Sequence, residues 1–181
     1  MNTTLLVIVL IVIAVIVVAL VVFFVYRRRQ QQQQARAREE YGPEYERVVE
    51  ERGSEREAEQ ELRERREKVE SEIQPLPEES QRRYDEQWQQ VERTFVDDPV
   101  ASLDDADRVV TEILTERNFP ADSRQEASKE VGVMYSGVVE DFREAQQIHQ
   151  EATRYRGEAD LEKMRQAIQK YRSVYERLIE R

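Results

Sequence analysis

The chain has 181 residues, a net charge of −10, no Cys and a single His. Residues 1–26 hold no charge, while the remainder carries all 66 charged side chains, so one ordinary globular domain is excluded. The missing Cys also excludes disulfides, thiolate metal sites and cysteine nucleophiles.

Leu5 to Val25 reads LLVIVLIVIAVIVVALVVFFV, an unbroken apolar run. As a helix it spans about 31 Å, close to the ~30 Å hydrocarbon core of a bilayer. A helix is also the one single-segment form that satisfies its own backbone in lipid. A cleaved signal peptide needs a basic start, a shorter apolar core and a small-residue cleavage site. Met1 to Thr4 carry no basic side chain, and Arg27 follows the run directly. Residues 1–26 therefore read as an uncleaved transmembrane anchor, with Phe23, Phe24 and Tyr26 near one interface.

Residues 27–43 form a basic, Gln-rich juxtamembrane segment. Arg27, Arg28, Arg29, Arg36 and Arg38 flank the span on one side, and no Lys or Arg flanks it on the other. The positive-inside rule then places the N-terminus outside and the C-terminal part in the cytoplasm, with the collar available to anionic lipid. Gln30 to Gln34 either continues the membrane helix or forms a flexible linker. Gly42-Pro43 breaks the chain, with Pro43 suited to a first helical position.

Residues 39–181 have 23 basic and 38 acidic side chains, a net of −15. Nucleic acid is an unsuitable partner for such a surface. Within it, residues 44–76 form a charged helix. Val48, Leu62, Val69 and Leu76 keep a seven-residue spacing with Glu55 in the missing place, while the other seam is mostly charged. That is half a heptad pattern, weakened at Gly53-Ser54, so the helix depends on packing against a partner in cis or in trans. QPLP at 74–77 ends it.

Residues 77–181 read as a small amphipathic helical bundle. Tyr84, Trp88, Val91 and Phe95 share one helical face, and this aromatic stripe is a candidate core or interaction surface together with Leu62 and Val69. Asp98 is the expected N-cap before Pro99, and Val100, Leu103, Ala106, Val110, Ile113 and Leu114 form the next stripe. Asn118 suits a left-handed C-terminal position and Pro120 stops continuation. Ser123 and Glu126 have capping-box spacing, and Ser136 is the expected cap of a helix from Gly137 to Arg156. Gly157 ends that helix, Asp160 caps the last, and Leu161, Met164, Ile168, Tyr171, Tyr175 and Leu178 supply its stripe. The short connection predicts a closing antiparallel hairpin. The fold class is thus all-α: one transmembrane helix, a charged helix, then a bundle ending in a helical hairpin.

Candidate chemistry is sparse. His149 has no ligand partner at helical spacing, so it reads as a surface or core-edge residue. Asp97, Asp98, Asp104, Asp105 and Asp107 lack EF-hand spacing and lie where they cap a helix. No nucleophile elbow, P-loop or dinucleotide fingerprint occurs. No catalytic, cofactor or metal set is therefore assigned. An enzyme acting through the 97–107 cluster is the least favoured reading.

From Tyr41 onward the sequence resembles a family of uncharacterised, N-terminally anchored helical proteins of actinobacteria, sometimes named secreted. The stretches that carry the resemblance are YGPEYERVVEE at 41–51, FVDDPVASLDDADRVVTEIL at 95–114, RNFP at 117–120, VVEDFREAQ at 138–146 and RGEADLEKMRQAIQKYRSVYERLI at 156–179. Members often carry a His-Pro pair before the VVE segment. Tyr135-Ser136 stands there instead, so no role of that pair carries over. The resemblance implies a bacterial envelope location and an all-helical domain, without catalytic residues.

The expected function is a single-pass membrane protein whose helical part binds a protein partner or self-associates at the cytoplasmic face. The alternatives are a stalk that forms an elongated oligomer and an extracytoplasmic helical domain.

Overall fold

The computed structural model describes Leu20, Val21, Phe23, Phe24, Arg27, Arg28 and residues 35–120, 123–155 and 160–180, with the side chains of 124 and 125 left aside. The expectations placed on the rest of the anchor, on Arg29, on Gln30 to Gln34 and on Gly157 lie outside those residues. The chain divides into two units, Met1–Glu40 and Tyr41–Arg181.

In the first unit every described residue is helical, including Leu20, Val21, Phe23 and Phe24, whose side chains are all more than half exposed. Residues 35–40 are helical. Among the described residues no helix is long and apolar enough to cross a membrane.

Among its described residues the second unit contains seven helices and no strand. They are α1 (Pro43–Arg52), α2 (Glu55–Glu72), α3 (Glu78–Asp97), α4 (Pro99–Glu116), α5 (Arg124–Met134), α6 (Val139–Arg154) and α7 (Leu161–Ile179). The all-α class is therefore observed.

Local chemistry sets most of the boundaries. Pro43 opens α1, and Gly53 ends it in the left-handed region at φ 70°, where a Cβ would be strained. Asp98 accepts a hydrogen bond from the Ala101 N–H at 3.0 Å and starts α4 ahead of Pro99. Ser123 accepts from the Glu126 N–H at 3.2 Å, and Asp160 from the Glu162 N–H at 2.8 Å. Asn118 adopts φ 58° after α4. Ser136 does not cap α6. Tyr135 to Val138 instead forms a turn closed by the Val138 N–H on the Tyr135 carbonyl at 3.1 Å, and α6 begins at Val139 without a side-chain cap. Glu140 and Asp141 in its first turn complement the exposed amides and the helix dipole.

The charged region 44–76 is two helices, broken at Gly53-Ser54, and it builds no long coiled coil. Its apolar positions turn inward: Tyr45, Val48, Ala58, Leu62 and Val69 are fully buried. α1 and α2 pack on each other and on α5. Val69 and Leu76 join the same core as Tyr84 and Trp88. The core therefore runs across residues 76 and 77 within the unit Tyr41–Arg181.

α4 is the central helix, packed by α3, α6 and α7. Leu103, Val109, Val110 and Ile113 are fully buried, so its apolar surface is wider than one stripe. Each such side chain contributes about 1.5–3 kcal/mol by leaving water. The Ser102 hydroxyl donates to the Val91 carbonyl at 2.8 Å, while Tyr84 and Arg83 reach Glu116, so α3 and α4 run antiparallel. Lys170 meets Asp141 at 2.8 Å, and Met164 lies beside Ile148 and Ala152, so α6 and α7 form the antiparallel hairpin that the sequence predicts.

Candidate functional site

The aromatic stripe of α3 is core. Tyr84 and Trp88 are buried, and Phe95 packs half-buried against the same cluster. Trp88 stacks on Tyr175 of α7 with ring centroids 4.5 Å apart and planes 17° from parallel. The Tyr175 hydroxyl donates to Asp85 at 2.6 Å, and burial and then that carboxylate push the phenol far above its ordinary range. The Tyr84 hydroxyl donates to Glu116 at 2.7 Å, Ser80 donates to the other oxygen of that carboxylate, and Arg83 joins it at 2.5 Å. Donors from Ser80 and Tyr84 hold Glu116 below the usual carboxylate range. Leu62 and Val69 are fully buried in cis and offer no exposed surface to a partner. Of the collar, Arg27, Arg28, Arg36 and Arg38 are described and all are exposed.

The acidic residues of 97–107 do not converge. Asp98 caps α4, Asp105 pairs with Arg108 at 2.7 Å, and Asp107 turns inward to accept from the Tyr171 hydroxyl at 3.0 Å. Asp104 meets His149 Nε2 at 2.7 Å. No group of three or more metal-ligating His, Asp or Glu side chains occurs among the described residues. The His149 side chain is 7% exposed, making it a core residue rather than a surface one, and its Nδ1 is buried without a hydrogen-bond partner. The pair has the Asp–His part of an acyl-transfer constellation, but Nε2 of the imidazole meets Asp104 rather than a hydroxyl, and its ring packs edge-on to Tyr171.

Two buried ionic centres are absent from the sequence reading. The first is Glu44, in the first turn of α1 and 0% exposed. Arg47 of the same helix grips both of its oxygens, Arg65 of α2 approaches at 3.3 Å, and Arg143 of α6 binds the second oxygen. Each guanidinium also meets an outer acid: Glu51 at 2.6 Å, Glu61 at 2.5 Å and Glu140 at 2.8 Å. Burial alone would raise the Glu44 pKa, but hydrogen bonds and charge from Arg47 and Arg143 outweigh it and hold the group below its usual range. Gly132 of α5 makes room for this arrangement. A Cβ there would stand 2.9 Å from Val139 Cγ2 and 3.3 Å from Glu44 Oε2. Nearby, one oxygen of Glu130 is buried without a hydrogen-bond partner, and Arg65 Nε is 4.0 Å from the other. Burial raises the Glu130 pKa despite the charges of Arg65 and Lys68.

The second centre is Arg117, 8% exposed. Its guanidinium donates to the Gln74 carbonyl at 3.2 Å, the Tyr135 hydroxyl at 3.0 Å and the Leu178 carbonyl at 2.8 Å. It also lies over the rings of Phe119 and Tyr135. These partners follow or end α2, α5 and α7, and Arg117 itself ends α4. The C-terminal ends of these four helices therefore meet around one buried cation, whose backbone acceptors are the Gln74 and Leu178 carbonyls. Local sequence could not give either centre. Glu44 reads as an ordinary first-turn acid, and Arg117 as a basic residue past a helix end.

Comparison with protein-family models, curated proteins and solved structures finds no match. Function therefore rests on the residues themselves.

Proposed function

We propose that the chain is a single-pass, membrane-anchored protein whose helical unit serves as a protein-interaction or scaffold module at the cytoplasmic membrane face. The observation that carries this reading is the run Leu5 to Val25 followed at once by Arg27, Arg28 and Arg29. The exposure of Leu20, Val21, Phe23 and Phe24 on a helical backbone adds support. Those four positions cover a helical arc of about 160°, and an apolar surrounding removes the cost of hydrating them. The acidic unit beyond the collar is repelled by an anionic bilayer and suited to soluble or neighbouring proteins.

An interaction module fits the molecule better than a stalk, because Leu62 and Val69 are consumed inside the unit. The envelope location implied by the resemblance belongs to the same reading. The test is topology. A Cys placed at exposed Glu180 in this Cys-free chain is challenged in intact cells with an impermeant thiol reagent, alongside alkaline extraction of membranes. Retention in the membrane with labelling only after lysis supports the proposal. Labelling from outside reverses the orientation, and release by alkali removes the anchor.

A further inference from the structure

α3 and α7 both pack on α4 more closely than on each other, which leaves a groove of about 530 Å³ between them. The two helices run antiparallel, since Arg172 meets Glu92 at 2.7 Å and Tyr175 meets Asp85 at 2.6 Å. The stacked rings of Trp88 and Tyr175 form the floor, and half-buried Ile179 adds an apolar edge. On the α3 wall Asp85, Gln89 and Glu92 follow one another at helical spacing. Val96 comes one turn later on the same face and is 81% exposed. From Asp85 to Val96 that face runs for about 16 Å, three turns of helix.

The walls are acidic. Asp85, Glu92, Glu176 and Glu180 line the groove against one cation, Arg172. Arg172 is shared between Glu92 at 2.7 Å and Glu176 at 2.8 Å, so it balances only one of the two. Arg177 meets Glu180 at 2.8 Å. Asp85 accepts the Tyr175 hydroxyl and has no cationic partner among the described residues. The other cations of α3 are turned elsewhere: Arg82 to Glu78 at 3.7 Å, Arg83 to Glu116 at 2.5 Å and Arg93 to Gln90 at 2.9 Å. Asp85 and one carboxylate of the Glu92–Glu176 pair are therefore left without a countercharge, beside apolar surface.

We infer that this groove docks a basic amphipathic helix of a partner protein. Charge complementarity selects that occupant. A Lys or Arg of the partner helix answers Asp85 and the spare carboxylate, while apolar residues on the same face cover Val96, Ile179 and the rim of the aromatic floor. A second copy of the groove brings the same acids and is repelled. The inference deepens the proposed interaction role, rests on it, and states the chemistry of the partner.

Trp88 is the single Trp and reports on its own floor. The full chain in phosphatidylcholine nanodiscs is titrated with a Trp-free amphipathic peptide of Leu and Arg, and Trp88 emission is followed. The emission shifts and saturates with the Arg peptide and stays constant with the same peptide carrying Glu for Arg. Asp85→Asn keeps an acceptor for Tyr175, and together with Glu176→Gln it raises the Kd about tenfold. Val96→Ser raises it severalfold, while the circular dichroism and melting curve of each variant match the wild type. No emission change with the Arg peptide overturns the groove and leaves the anchor, which the topology test addresses, standing. Equal binding of the Glu peptide, or an unchanged Kd in the double variant, overturns the charge selection and the docking with it. An emission change that grows with protein density without peptide assigns the groove to a second copy and also overturns the inference.

Discussion

Glu44→Ala isolates the buried ionic centre that ties α1, α2 and α6 together. The substitution removes a carboxylate of zero exposure and leaves the guanidiniums of Arg47, Arg65 and Arg143 facing one another. Breaking a buried ion pair from one side costs about 3–5 kcal/mol. The lower end applies, because the three arginine side chains are 16–27% exposed and each keeps an outer acid. About 3 kcal/mol is a large share of the ~5–15 kcal/mol that holds a typical domain together. For a unit of this size it lowers Tm by roughly 6–12 °C.

The assay is urea and thermal unfolding by far-UV circular dichroism, with Glu50→Ala, exposed on the same helix, as control. The control shifts stability by no more than about 0.5 kcal/mol. A loss below about 1 kcal/mol for Glu44→Ala would refute the reasoning, since an uncompensated buried charge costs more than that. A second arm uses pH. The folded pKa of Glu44 lies below 4.5, so its contribution is fully present above the unfolded value and is lost as pH falls through the folded one. The stability gap between wild type and Glu44→Gln therefore narrows in acid below about pH 4.5 and is constant above it. A gap that widens in acid contradicts the assignment.

Glu130 has the opposite sign. Its folded pKa is raised by burial, so at neutral pH the ionised group destabilises the unit. Glu130→Gln is expected to raise the urea midpoint at pH 7, with the gain disappearing below the unfolded pKa near 4.5; a lower midpoint at pH 7 defeats the explanation. Leu62→Ala costs about 2–5 kcal/mol of stability, read by the same unfolding curves. Lost association without lost stability would instead mean that Leu62 faces a partner. Arg117→Lys lowers stability by about 1.5–3 kcal/mol, because one ammonium cannot reach the three oxygens that the planar fork spans. An unchanged unfolding midpoint would show that the fork is dispensable. Trp88, the single Trp and nearly buried, emits in the blue in the folded unit and shifts red in the same transition as the circular dichroism. Separate midpoints would show that the α3–α7 contact opens on its own.

The sequence makes one-sided features legible. The stripe Tyr84, Trp88 and Val91 is buried as its spacing predicts, and Pro43, Asp98, Asn118, Ser123 and Asp160 act at helix ends because those effects operate within one turn. Val109 escapes a single-stripe reading because α4 is covered on more than one side, which only the packed neighbours decide. Ser136 fails as a cap because the Tyr135 carbonyl competes for the turn. Leu62 and Val69 are visible as apolar positions, but whether they are covered in cis or in trans depends on α5, far along the chain. Glu44 looks like a surface residue locally, and His149 like a surface or core-edge one. Their burial becomes tolerable only when Arg143 and Asp104 arrive from other helices. The apolar run and the Arg collar are legible by length and charge alone, since the bilayer sets that rule rather than the fold.

Arg117 has a consequence for how the unit folds. Its acceptors at Gln74 and Leu178 are 104 positions apart, and the second arrives only with α7. Until α7 docks, the guanidinium lacks one acceptor and stays hydrated, so the end where four helices meet remains open. Closing that end joins the early and late parts of the chain in one step. Contacts of such long sequence separation slow folding, and they also make partial structures unstable. That end is therefore expected to close last, when α7 docks, and the unit to unfold in one transition.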